Sequence, residues 1–188
     1  SNPAGHGAHL DFGADYNTIS QSTMTSNAAG YYGLVLNFVS SNTIASSYIQ
    51  GSTAAYVSGS TGTRISNSVI VGAAGRGVWL LNGSVGLSIA ASTVSGSAGA
   101  AAVYIANGNS GVIDISTNVI GGTGAYGLYI GNQVAGTTVR ITSNTIIPTV
   151  TAAHNTYGIY LDGLTSGATI SNNGVKQAFV YLDGVPAP

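Results

Sequence analysis

An isoleucine recurs along this chain at intervals of 21 to 29 residues, each time with the same two companions. The clearest copy is Ile115, which is followed by Asn118 three positions later and by Ile120 five positions later. The equivalent anchors are Ile19, Ile44, Ile65, Ile89, Ile141 and Ile170. The residue at +3 is always Ser or Asn, and the residue at +5 is always Met, Ile or Val. Self-similarity at a period of 20 to 50 residues indicates a solenoid, in which each repeat buries its apolar face against its neighbours.

A second motif in each period is a triplet of mostly β-branched and aromatic residues. The copies are Leu34-Val35-Leu36, Ala55-Tyr56-Val57, Val78-Trp79-Leu80, Val103-Tyr104-Ile105, Leu128-Tyr129-Ile130, Ile159-Tyr160-Leu161 and Val180-Tyr181-Leu182. Such residues favour strands, and period-2 alternation predicts that the outer two members point inward and the middle one outward. Turn pairs such as Asn82-Gly83 follow most copies. The +3 Ser or Asn is predicted to lie at a bend, to tolerate unusual backbone there and to bond to the rungs on either side.

Three strands in each period of about 25 residues predict a parallel β-helix. The segments 115–120 (Ile-Ser-Thr-Asn-Val-Ile), 141–146 (Ile-Thr-Ser-Asn-Thr-Ile) and 157–161 (Tyr-Gly-Ile-Tyr-Leu) resemble the right-handed β-helix family typified by pectate lyases, polygalacturonases, phage tailspikes and adhesin passengers. The resemblance implies an all-β, single-domain right-handed parallel β-helix of seven to eight rungs. The rungs are expected over residues 8–184, after an irregular segment 1–7 and before a tail 185–188. Because this scaffold carries many activities, the resemblance assigns none.

Composition limits the classes of function. Only 5% of the residues are charged, the net charge is -1, and there is no cysteine. The chain therefore lacks the basic field that holds nucleic acid or an anionic membrane, and no apolar run approaches the ~20 residues of a membrane span. Solubility that depends on Ser, Thr and Asn favours an extracellular or cell-surface location. Because Met24 is the only methionine and no end cap is visible, we expect a processed product or a fragment, or else a chain that self-associates end to end.

The middle members of the triplets provide the strongest candidate site. They predict an outward stripe that begins at Val35 and continues as Tyr56, Trp79, Tyr104, Tyr129, Tyr160 and Tyr181. Stacked aromatic residues can simply stabilise a sheet, at roughly 0.2–1 kcal/mol for each cross-strand pair. An exposed stripe can also bind sugar rings or a partner surface. The resemblance points the same way, because the polysaccharide groove of that family lies on this face. We therefore expect a glycan or cell-surface partner.

Catalytic groups are sparse in this sequence. Asp162 and Asp183 occupy equivalent positions one rung apart, and His154 lies in the long connection 147–156, so these three are the candidate acid and base for glycosidic cleavage. Each Asp is also followed by Gly, which is ordinary turn chemistry. Gly5-His6-Gly7 resembles the Gly-His-Gly of polygalacturonases but has no accompanying acidic motif, and His6 and His9 alone make a poor metal site. No cofactor or metal is expected.

The sequence thus favours a non-enzymatic extracellular β-helix domain for adhesion, glycan binding or fibre assembly. The alternative is a polysaccharide lyase or hydrolase, or a phage tailspike fragment that acts on glycans. The first interpretation is preferred because Glu is absent and the five Asp are spread along the chain.

Overall fold

The computed structural model describes residues 5–97, 100–149, 157–163, 167–176 and 179–183. Within them, 22 strands form three parallel sheets of eight, seven and seven strands. Sheet 1 contains β1 (Ala8–Asp11), β4 (Tyr32–Asn37), β7 (Thr53–Ser58), β10 (Val78–Leu81), β13 (Ala101–Ile105), β16 (Tyr126–Ile130), β19 (Tyr157–Asp162) and β22 (Phe179–Asp183). Every one of these strands holds or pairs with a triplet identified in the sequence.

The other two sheets carry the anchor isoleucines and the +5 residues. Sheet 2 contains β2 (Thr18–Ser20), β5 (Thr43–Ala45), β8 (Thr61–Ser66), β11 (Val85–Ala90), β14 (Ser110–Ser116), β17 (Thr138–Thr142) and β20 (Ala168–Ser171). Sheet 3 contains β3 (Thr23–Thr25), β6 (Tyr48–Gly51), β9 (Val69–Gly72), β12 (Thr93–Gly96), β15 (Val119–Gly122), β18 (Thr145–Pro148) and β21 (Gly174–Val175).

Neighbouring strands in each sheet are three elements apart in the chain, so the backbone visits the sheets in turn and coils into a β-helix. This confirms the predicted all-β solenoid. Six full turns separate β2 from β20, slightly fewer than the seven to eight predicted rungs. No helix in the described part of the chain is long and apolar enough to cross a membrane.

The interior of the coil contains the predicted apolar columns. Ile65, Ile89, Ile115 and Ile141 pair in register along sheet 2, and all four are 0 or 1% exposed. A second column on sheet 3 runs through Ile70, Val94, Ile120 and Ile146. The outer triplet residues complete the core from sheet 1. On β22, however, the core positions Val180 and Leu182 are about half exposed.

The bend between sheets 2 and 3 is stabilised by a ladder of the +3 side chains. The backbone N–H of each +3 residue donates a hydrogen bond to the side-chain oxygen of the +3 residue on the next rung. Ser92 donates to Asn118 Oδ1 and Asn118 donates to Asn144 Oδ1, both at 2.9 Å. The ladder contains Ser22, Ser47, Ser68, Ser92, Asn118, Asn144 and Asn173. This confirms the predicted bonding between rungs.

The predicted position of the unusual backbone was wrong by one residue. The left-handed residue is the one before the ladder, at +2, as at Thr117 and Ser143, each with φ 57°. The turn is therefore made one position earlier, and this leaves the +3 side chain free to point inward and accept hydrogen bonds.

A second ladder, which the sequence analysis missed, lies between sheets 1 and 2. Ser60 donates its N–H to Ser84 Oγ at 3.1 Å, and Ser84 donates to Asn109 Oδ1 at 3.0 Å. Asn109 in turn donates to Gln133 Oε1 at 3.0 Å. The turn glycines Gly59, Gly83 and Gly108 precede three of these residues and have positive φ. Both polar corners of the coil are thus satisfied by side chains from the adjacent rung.

Candidate functional site

The aromatic column on sheet 1 has the register that the sequence predicts. Tyr56 pairs with Trp79, Trp79 with Tyr104, and the series continues through Tyr129, Tyr160 and Tyr181. The ring centroids of Tyr104 and Tyr129 are 4.7 Å apart, and those of Tyr160 and Tyr181 are 4.8 Å apart, both in stacked geometry. Because strands of a sheet lie about 4.8 Å apart, rings on successive rungs are spaced for direct stacking.

The column is less exposed than the sequence predicts, and its first member is not exposed at all. Val35 is in register between His9 and Tyr56 but is only 5% exposed, because both neighbours carry rings that are larger than its own side chain. Most of the aromatic members are partly buried, whereas Tyr181 is 41% exposed. The available surface therefore consists of ring edges and partial faces.

A second column explains this burial. The residue three positions before each middle residue lies at the start of the same strand or just ahead of it, and in several rungs it carries a large side chain. Tyr126 contacts Tyr129 edge to face with ring centroids 5.4 Å apart, and Tyr157 contacts Tyr160 at 5.2 Å. This column was not predicted, although its spacing of -3 from the triplet centre is visible in the sequence.

In the fourth rung the residue at this position is Arg76. Its guanidinium carbon lies 4.3 Å from the ring centroid of Trp79 and 4.3 Å from that of Tyr104, so the cation lies against both rings. Such cation–π contacts contribute roughly 0.5–2 kcal/mol. Arg76 Nε and Trp79 Nε1 are both buried without a hydrogen-bond partner. Arg76 was not among the predicted site residues because it precedes the strand.

A groove of about 440 Å³ opens beside this cluster. It is lined by Arg76, Trp79, Leu81, Asn82, Tyr104, Ala106, Asn107 and Tyr129. Three rings, one guanidinium and two carboxamides therefore line a single concavity. Apolar and aromatic walls with a few polar groups are typical of small-molecule sites.

The candidate catalytic residues are only partly described. The phenol of Tyr129 donates a hydrogen bond to Asp162 Oδ2 at 2.6 Å, so this carboxylate is held by the aromatic column. Asp162 and Asp183 are backbone partners on adjacent strands, as predicted. The side chain of Asp183 and the whole of His154 lie outside the described residues. The proposed acid and base roles therefore stay predictions.

The same hydrogen bond predicts how Tyr129 titrates. Burial, then the hydrogen bond to Asp162 and the charge of its carboxylate, raise the pKa of Tyr129 well above its usual range. We expect Asp162→Asn to lower this pKa, because the phenolate would no longer face a negative charge. An NMR titration of ring-labelled tyrosine would follow the resonance. An unchanged midpoint in the variant would show that the carboxylate does not control the phenol.

The histidines at the start of the chain serve a structural role in this fold. His6 stacks on Tyr32 with ring centroids 5.2 Å apart, and its Nδ1 accepts a hydrogen bond from the Tyr32 N–H at 3.0 Å. Burial and the neighbouring His9 lower the pKa of His6. Among the residues that the structure describes, no group of three or more His or Asp side chains is placed to hold a metal ion.

Comparison with protein families supports the same architecture. Residues 1–146 match the family model described as the right handed beta helix region. No curated protein and no solved structure matches the chain. The family match covers more than three quarters of the 188 residues and coincides with the coil of three parallel sheets. The chain belongs to the right-handed β-helix family.

Proposed function

We propose that the protein is a non-enzymatic extracellular β-helix domain that binds glycans along the aromatic face of sheet 1. The observation that carries the proposal is the in-register column from Tyr56 to Tyr181, together with the groove beside Trp79, Tyr104 and Tyr129. Adhesion to a glycan-bearing surface follows from repeated binding positions along one face, since each rung adds another ring.

The groove suits a pyranose ring. The apolar C–H face of a sugar packs against an aromatic ring, whereas its hydroxyl groups need hydrogen-bond partners at the edges. Asn82 and Asn107 supply carboxamide donors and acceptors along the groove wall, and Arg76 supplies donors only. The unpartnered N–H groups of Arg76 and Trp79 each cost free energy while unsatisfied, so a ligand oxygen reached by a small side-chain rotation would be favoured.

The test is a glycan array, followed by titration calorimetry on the glycans that bind. Tyr129→Ala should weaken binding about tenfold, because an aromatic contact contributes roughly 0.5–1.5 kcal/mol beyond the area it buries. Tyr48→Ala is the matched control, since Tyr48 lies on sheet 3 and hydrogen-bonds to Gln50 away from this face. Equal losses in the two variants would contradict a site on sheet 1.

The alternative is a polysaccharide lyase or hydrolase that uses Asp162 and Asp183. We expect no cleavage of polysaccharide by the wild-type protein, and we expect Asp162→Asn and Asp183→Asn to fold normally. Release of reducing sugars or of unsaturated products would measure cleavage. Activity that falls at least tenfold in either variant would establish the enzymatic alternative instead.

A further inference from the structure

The second sheet carries an unusual concentration of charge for this chain. The whole sequence has only four Lys or Arg and five Asp. Three of these nine residues, Arg64, Asp114 and Arg140, lie in one outward column of sheet 2, with Ser88 between the first two. The order along the coil is therefore positive, neutral, negative, positive on four successive rungs.

None of these three charges forms an ion pair within 4.0 Å among the described residues, where the one such pair joins His9 to Asp11 on sheet 1. Arg64 and Arg140 are exposed, and Asp114 is partly exposed. Asp114 is thus available to a cation from outside, although Arg140 is its register partner.

A shallow groove of about 380 Å³ lies between Arg64 and Asp114. Its floor includes Gly86 and Ser88, and its far wall is formed by Val112 and Asp114. Val112 is 47% exposed. The near side contains Gly62, where an added Cβ would meet Ser41 Oγ at 3.6 Å, an ordinary van der Waals distance. The face therefore presents one exposed apolar side chain and one position without a side chain, two rungs apart.

We propose that sheet 2 is a dimerisation surface whose partner is a second copy of this chain. In the arrangement that the charges specify, the sheets face each other and the two-fold axis lies between them, parallel to β11. Under this rotation each residue faces a partner residue at the same position along its strand. The rungs of the partner, however, run in the opposite order along the coil. The rotation places Arg64 opposite the partner's Asp114, and Asp114 opposite the partner's Arg64, so that one contact is made twice, as a two-fold interface requires.

The shapes match under the same operation. Val112 lies two residues before Asp114, and Gly62 lies two residues before Arg64. The axis that pairs the charges therefore also places Val112 over the partner's Gly62, so that each valine faces a residue without a side chain. Arg140 comes to lie opposite the partner's Thr43, which is the register neighbour of Arg64 on β5. No pair of like charges is placed directly opposite.

Analytical ultracentrifugation of the 188-residue protein tests the proposal by charge reversal. The wild type should sediment as a monomer–dimer equilibrium that weakens as salt rises, because screening reduces attraction between exposed charges. Arg64→Asp and Asp114→Arg should each raise the dimer dissociation constant at least tenfold. The double variant Arg64→Asp/Asp114→Arg should restore the dimer, since both reciprocal pairs are re-formed with their signs exchanged. Lys176→Asp, an exposed charge outside sheet 2, is the control and should leave the equilibrium unchanged.

Cross-linking provides a second test that does not depend on charge. Because the chain has no cysteine, single thiols can be placed freely. Ser88 lies on the axis and faces the partner's Ser88. Thr142 lies two rungs from the axis, so the two copies of Thr142 in the dimer are four rungs apart. At about 4.8 Å per strand, this separation is roughly 19 Å along the coil. A bismaleimide spanning about 10 Å should join Ser88→Cys copies and leave Thr142→Cys copies single. A wild type that stays monomeric at tens of micromolar, or oligomers unaffected by either charge reversal, would overturn the proposal.

Discussion

Replacement of Ile115 by aspartate is expected to lower the free energy of unfolding by about 3–5 kcal/mol, the cost of an uncompensated buried charge. Ile115 is 0% exposed and lies between Ile89 and Ile141 in the central column of the core. Because a solenoid transmits stability between neighbouring rungs, the loss should reach the rungs on both sides. Urea unfolding followed by circular dichroism would measure it.

Val119→Asp is the matched control for this substitution. Val119 begins β15, four residues after Ile115, and is 48% exposed. An aspartate there stays in water, so we expect a change within about 0.5 kcal/mol, as for most surface substitutions. If the two aspartate variants unfolded at the same urea concentration, the assigned inward and outward register would be wrong.

The second large effect is expected at the corner ladder. Asn144 is 1% exposed; its Nδ2 donates to the Ile115 carbonyl at 2.8 Å and its Oδ1 accepts from the Asn118 N–H at 2.9 Å. Asn144→Ala would leave the buried Asn118 N–H without this acceptor, at about 1–3 kcal/mol, and would remove one hydrogen bond from the Ile115 carbonyl, at about 0.5–1.5 kcal/mol. We therefore expect a loss of about 1.5–4.5 kcal/mol in the free energy of unfolding.

Serine at the same position tests the cause of that loss. Earlier rungs of the ladder use Ser47, Ser68 and Ser92, whose Oγ accepts the same N–H of the preceding rung. Asn144→Ser should therefore preserve one of the two main contacts and should destabilise clearly less than Asn144→Ala. Equal urea midpoints for the two variants would mean that the ladder contributes packing rather than hydrogen bonding.

Much of the fold could be predicted because the repeat carries its own register. Fixed offsets from the anchor place Ile115 over Ile141 and Asn118 over Asn144 without any further information. The left-handed bend could not be located in this way. The residue at +2 differs from rung to rung; it is Asn at positions 67 and 172, a type that favours positive φ, but Ala at 91 and Thr at 117, so no common side chain marks the bend.

The register of the aromatic column was predicted from the sequence, but the burial of its side chains and the neighbouring Arg76 were not. The triplet centres predicted the column from Tyr56 to Tyr181, whereas the burial of Val35 depends on the sizes of its neighbours across rungs. Arg76 was not predicted because it lies in the connection between β9 and β10, outside the apolar alternation that defines the strands. The charged column on sheet 2 was visible in principle, since Arg64, Asp114 and Arg140 each come one residue before an anchor isoleucine.

The proposal that sheet 1 binds glycans is tested most directly by the fluorescence of Trp79, the single tryptophan of the chain. Its indole lines the groove beside Arg76 and Tyr104. Glycans that bind on an array should shift its emission to shorter wavelength and protect it from acrylamide in a saturable way, because a bound sugar displaces water from the ring. Tyr104→Ala should weaken that response about tenfold. Glycans that bind tightly by calorimetry but leave the emission and quenching of Trp79 unchanged would place the binding surface elsewhere and contradict the proposal.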